Sequence, residues 1–317
     1  MKLPKRLTEA LAKKQAYIDA QRTKMEGTVV KLQNNLYTDI IKELIPELDV
    51  KDGIIQETAK NYKLISVLDK TYKDSQAKTG QVFIEQIGGT TKKIADMSKT
   101  YFELMLSADL PKRFEQVISK TDKLINLRLG LDGGKLVRGG FLQSFFDSNT
   151  IGTELKEMTS KAVTSHVNMK DYVSMLSDKI NGTDEYTGGL ERQFQRYGYD
   201  LYQQYDRAYN ASIGNEFGYR YFIYQGGLIG DSRDFCAAHN GKVWSIEEAQ
   251  EWTSWTPAKG EYPAGYTVKA KDVNSVPSYL GYPGYDPMID FGGYNCRHFP
   301  GWLVDELAFE MRPDLRN

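Results

Sequence analysis

The sequence predicts an α+β chain that is predominantly α. A helical bundle or set of hairpins over residues 1–128 is followed by an α+β domain over 129–317. Three observations predict this. Apolar residues recur at spacings of three and four through the first part. The run "GLDGGKLVRGGF" from Gly130 then breaks the pattern. From Arg220, "RYFIYQGGLIG" and stretches rich in Gly, Pro and Tyr replace the long periodic runs.

The elements follow in order. Val29, Leu32, Leu36, Ile40 and Leu44 fall on one helix face, and Pro46 with "LDVKDG" ends it. A second pattern runs through Leu64, Val67, Leu68 and Tyr72. A third runs through Ile94, Met97, Tyr101, Leu104 and Met105, and "SADLPKR" opens a fourth. The glycines around Lys135 invite a phosphate-loop reading, but no G-x-x-x-x-G-K-[ST] fits, so they read as a joint. Helical spacing resumes with Leu155, Met158 and Ala162, then Tyr172, Leu176 and Ile180. "NGTDEYTGG" ends it, and its Asn181 sequon reads as a turn. His166 lies in this stretch without a ligand-type neighbour. One long helix is expected over 190–219. Ser245 and Glu248 have the S-x-x-E spacing of a capping box, which accounts for Glu247 and Glu248 without catalysis. Residues 253–295 lack periodicity, and a loop of that length needs something to hold it.

Composition narrows the function. With 40% hydrophobic and 26% charged residues the chain reads as an ordinary soluble protein. A net charge of −1 gives no global field for nucleic acid. No apolar run is long enough to span a membrane, so no membrane partner is expected. The N-terminus is basic without an apolar core, unlike a secretory signal, so a reducing cytoplasm is expected. The first 36 residues hold eight Lys/Arg against three Asp/Glu. They read either as a basic arm for DNA or an acidic partner, or as a solvated helix face. Fifteen of the 21 tyrosines lie between Tyr186 and Tyr294, which suits either an interface or an internally bonded irregular domain.

The scarcest residues carry the strongest signal. Both cysteines and two of the three histidines occur as Cys236-x2-His239 and Cys296-x-His298. A turn brings C-x2-H ligands together, and residues two apart on a strand point the same way. Two thiolates and two imidazoles make the tetrahedral set that zinc prefers, and a closed four-ligand site is structural. The sequence thus predicts a zinc-stapled C-terminal domain. Its metal ligands are Cys236, His239, Cys296 and His298, its pinned segment spans 231–303, and it has no catalytic or other cofactor-binding residues. Without that staple, residues 240–295 are expected to form little core. Buried thiols with unrelated histidines are the plain alternative, and a catalytic thiol is a further one. Neither H-E-x-x-H nor the zinc-deaminase signature is present.

"GDSRDFCAAHNGKVWS" followed by "GGYNCRHFPGWL" resembles the phage minor head proteins, the Mu F-like head morphogenesis and minor capsid family. The matching positions are Asp231, Arg233, Cys236, His239, Gly241, Lys242, Val243, Asn295, Cys296, Arg297 and His298. Arg207, Asn210 and Gly218 are similar to the family's preceding helix. The likeness spans roughly 140–305, most specifically the last hundred or so residues, and the long stretch between Trp244 and Gly292 departs from it. The resemblance implies a late, portal-associated virion component for head assembly or DNA packaging or ejection, present in the host cytoplasm during assembly. It implies portal, major capsid or other head proteins as partners, with DNA reached through the basic arm, and no enzymatic activity. The alternative is a nuclease or other hydrolase of a phage or mobile element.

Overall fold

The structure is a computed structural model that describes residues 3–105, 111–132, 135–136, 150–197 and 200–316. Helix accounts for 66% of the described chain and the sheets are small and antiparallel, so the fold is α+β and predominantly α. Most of the glycine-rich joint lies outside the described residues; α3 (Pro111–Leu129) precedes it, and β3 (Leu131–Asp132) pairs with β4 (Lys135–Leu136) as a short ladder, as β1 (Val50–Lys51) does with β2 (Ile54–Ile55).

The chain forms two compact units. Unit 1 is Met1–Ala20, Gly89–Asn126 and Asp200–Asn317, and unit 2 is Gln21–Gly88 and Leu127–Tyr199. Each takes chain from both sides of residue 128. The physical cause is helix length. Helix α1 (Lys5–Glu43) and helix α2 (Ala59–Met105) each supply residues to both units. The second and third periodic patterns are one 47-residue helix, α2. No proline interrupts them, and Gly88 and Gly89 stay helical.

Unit 2 has a helix-packed core. Leu36 and Ile40 of α1, Leu44 just after it, and Leu64, Leu68 and Tyr72 of α2 join Ile151, Leu155, Val163, Tyr172, Leu176 and Ile180. The last six come from α4 (Thr150–Thr164) and α5 (Met169–Asn181), the latter capped by the Asn168 side chain. Asn61 fixes the turn between α1 and α2 by accepting from Asp49 N and donating to the Asp49 and Gln56 carbonyls. His166 takes the exposed left-handed position (φ 52°) after α4.

Unit 1 is built on a three-stranded sheet. Strand β5 (Tyr221–Gln225) lies between β6 (Val243–Ser245) and β7 (Phe299–Leu303), antiparallel to both. Tyr224 pairs with Pro300 and Phe222 with Trp302. The helix expected over 190–219 divides into α6 (Gly189–Tyr197) and α7 (Leu201–Phe217). Helix α7 packs closely on β7: a Cβ at Gly214 would stand 2.5 Å from the Trp302 ring. Beneath it, buried Lys14 lies 2.8 Å from the Asp206 carboxylate, with Ser98 and Asn210 completing the network. One member of the basic arm is therefore a core residue, and Leu7, Leu11 and Ile18 bury the same helix face. Lys5, Arg6 and Lys13 remain exposed.

The stretch 253–295 is irregular, as expected, but it contributes to the core. Trp255, Leu280 and Phe291 are buried, beside Trp252 just before it. Asp234 also holds it directly, accepting from Tyr266 Oη, Lys269 N and Ala270 N at 2.8–2.9 Å. Large aromatic side chains anchor a loop without periodicity, which a helical or strand pattern does not register.

Candidate metal centre

Three elements of unit 1 converge. Helix α8 (Asp234–His239) carries Cys236 and His239. The turn before β7 carries Cys296 and His298, and β5 carries Tyr224 on the sheet face that it shares with Phe222. A capping box at Ser245 and Glu248 then starts the short helix Ile246–Gln250, as the spacing predicted.

Cys236, Cys296 and His298 form a buried group that can hold a metal ion, with one ligand atom from each lying within 4.8 Å of the others. The two Sγ atoms are 3.8 Å apart, and Cys296 Sγ is 3.6 Å from His298 Nδ1. Both cysteines are free. Their surroundings push the two thiols in opposite directions. The contact with Cys296, together with burial, pushes the Cys236 thiol well above its ordinary range. Burial also works against ionising Cys296, but hydrogen bonds from Cys236 and His298 outweigh it and hold that thiol well below the usual value. An ionised thiol is the form that binds metals.

His239, the fourth ligand expected from the spacing, stands outside this group. Its Nδ1–H donates to the Phe235 carbonyl at 2.7 Å, and its ring is stacked between Phe235 and Trp244. Burial pushes its pKa down to about 3, so the ring is neutral. The i to i−4 bond along α8 fixes the ring and leaves its buried Nε2 without a hydrogen-bond partner, and spacing alone does not reveal where that ring is held.

The surroundings hold the group in place. Arg233 donates to the Gly292 and Tyr294 carbonyls, tying the start of α8 to the approach to Cys296. Arg207, fully buried on α7, pairs with Asp200 and donates to the Asp290 carbonyl. Burial pushes the Asp200 carboxyl up to about 6 against the pull of Arg207. Gln203, one turn before Arg207, reaches the His298 carbonyl. A cavity of about 220 Å³ opens beside the group, lined by Asp231, Arg233, Asn295, Arg297 and the three ligand residues among others. Asn295 holds a left-handed backbone (φ 58°), a strained conformation that turns the chain immediately before Cys296.

Sequence reasoning singled out Arg207, Arg233, Asn295 and Arg297 only through resemblance, and it missed Tyr224, Asp200 and Asp234. Asp200 and Arg207 are seven apart, two turns along one helix face, which is a legible signal. Nothing in the sequence links Tyr224 to cysteines 12 and 72 residues away. Among the described residues no helix is long and apolar enough to cross a membrane. No protein-family model, curated protein or solved structure matches the chain.

Proposed function

We propose that the chain is a structural virion protein, a phage minor head protein acting near the portal in head assembly or in DNA packaging or ejection. Its C-terminal half is fastened by a structural zinc ion. One observation carries this reading: Cys236, Cys296, His298, Arg233, Asn295 and Arg297, among the residues through which the sequence resembles the minor head proteins, stand together at the Cys–His group and the cavity beside it. Cys236, Cys296 and His298 supply the donors, while Arg233, Asn295 and Arg297 shape the wall beside them.

Zinc is favoured by the donor spacing. Tetrahedral bonds of about 2.3 Å to sulfur and about 2.0 Å to nitrogen set two sulfurs about 3.8 Å apart and a sulfur about 3.5 Å from a ring nitrogen. The observed separations are 3.8 and 3.6 Å. When bound, the ion cross-links α8 to the turn before β7. The partners are portal, major capsid or other head proteins, met in the host cytoplasm during assembly, and DNA contact falls to exposed Lys5, Arg6 and Lys13.

Heads assembled from the genes that accompany this one test the assignment. The chain is expected in the head fraction, and its absence there overturns the virion role. Elemental analysis after chelator-free purification is expected to give one zinc per chain, and well under one equivalent overturns the zinc. Plasmid nicking that one point variant abolishes would instead favour the hydrolase alternative.

A further inference from the structure

The three donors leave a tetrahedral site one group short, and His239 stands outside their group. The hydroxyl of Tyr224 faces both sulfurs of the group. Its Oη is 3.5 Å from Cys236 Sγ and 3.5 Å from Cys296 Sγ. An oxygen ligand about 2.0 Å from a zinc ion that also binds two sulfurs at about 2.3 Å would lie about 3.5 Å from each. The ring is fixed: the residue is fully buried, with His298 stacked at 4.7 Å and Phe291 at 5.0 Å.

A Cβ built on Gly292 would lie 2.6 Å from Cys236 Sγ, 3.1 Å from Cys296 Sγ and 3.3 Å from Tyr224 Oη. The chain presents a glycine to the two sulfurs and the hydroxyl together, and any side chain there would press into the space that they border.

We propose that Tyr224 is the fourth protein ligand of the metal centre, giving a closed set of two sulfurs, one nitrogen and one oxygen. This rests on the metal reading above and extends it. On metal binding, the Tyr224 phenol and the Cys236 thiol would each release a proton to solvent, and the phenol oxygen would take the fourth position. The position is then filled from the interior, and the ion has no exchangeable site toward the cavity lined by Asp231 and Arg297.

Cobalt(II) added to the purified full chain tests this, because its visible spectrum reports coordination. The wild-type chain is expected to bind one cobalt with four-coordinate bands that azide does not move. Tyr224→Phe keeps the ring and its packing. It is expected to bind cobalt at least 10-fold more weakly and to gain an azide-sensitive spectrum, since water enters the vacated position. His239→Ala is expected to leave the spectrum in place. Wild-type bands that shift with azide overturn the proposal by showing the fourth position open to the cavity, and they leave the metal reading intact. A wild-type spectrum retained in Tyr224→Phe but lost in His239→Ala assigns the position to His239 and overturns it equally. A wild-type chain that takes up no cobalt overturns the metal reading itself.

Discussion

The two units of this chain reach stability by different physical routes. Unit 2 buries Leu, Ile, Val and Tyr from helices at regular spacing. Its polar side chains mostly close turns and cap helices, as Asn61 and Asn168 do. Unit 1 buries charge and ring systems instead. Lys14 and Asp206 pair in its interior, and so do Arg207 and Asp200. Phe222, Tyr224, Phe235, Trp252, Phe291 and Trp302 form its centre. A core of regular apolar stripes tolerates local loss. A core of paired charges, clustered thiols and an irregular loop fails when one partner is removed. The difference teaches where a single change will matter most.

On the proposed zinc reading, removing the ion should give the largest difference in response between the units. Structural zinc sites can be worth roughly 10 kcal/mol in small domains. Chelation, or Cys296→Ser, is expected to raise hydrogen exchange in residues 234–245 and 291–303 and to leave residues 36–72 and 151–180 protected. Equal loss of protection in both units would break the comparison.

The buried ion pair comes next. Lys14→Met leaves the Asp206 carboxylate without its cation in the interior, which costs about 3–5 kcal/mol. Combining it with Asp206→Leu should recover most of that loss in denaturant unfolding. A single variant as stable as wild type would show that the pair is dispensable.

In unit 2, Leu155→Ala opens a cavity at a fully buried position. The expected cost is about 3 kcal/mol, read in the unfolding of residues 151–180. Metal content should stay unchanged, and a variant that also loses metal would show coupling that this division of labour does not anticipate.

The smallest effect is a pH slope confined to unit 1. The folded pKa of His239 is depressed to about 3. Between that value and the ordinary pKa of about 6.5 the unfolded chain binds the extra proton. The stabilisation is complete above the ordinary value and is lost as pH falls. From pH 7 to pH 5 the loss is about 2 kcal/mol. Asp200 acts with the opposite sign. Its folded pKa is raised to about 6, so its contribution improves as pH falls through that value. Comparing wild type with His239→Phe across this range isolates the histidine. Parallel stability curves would show that the ring does not titrate on unfolding.

Particular residues show how much was legible. Leu36, Ile40 and Leu44, and Tyr172, Leu176 and Ile180, declared their helices and their buried faces, because a 3.6-residue period is written along the chain. Ser245 and Glu248 declared a helix start for the same local reason. Cys236, Cys296 and His298 declared a shared site through scarcity and spacing, and the fold brings them together. The burial of Lys14 was not legible, since a lysine in a basic amphipathic run reads as solvated until a carboxylate 192 positions away is placed against it.

The sequence by itself determined the helical character of the chain, the breaks in its periodicity and the identity of its scarce metal-type donors. All of these depend on neighbours within a few residues. Tertiary structure alone decided that α1 and α2 each supply both units and that Trp255 and Phe291 anchor an aperiodic loop. It also decided that His239 turns to its own helix carbonyl while Tyr224 faces the two sulfurs. The physical reason is that a side chain's partner in a core is set by which distant segments pack against it and which hydrogen bond wins there. Neither quantity has a period in the sequence.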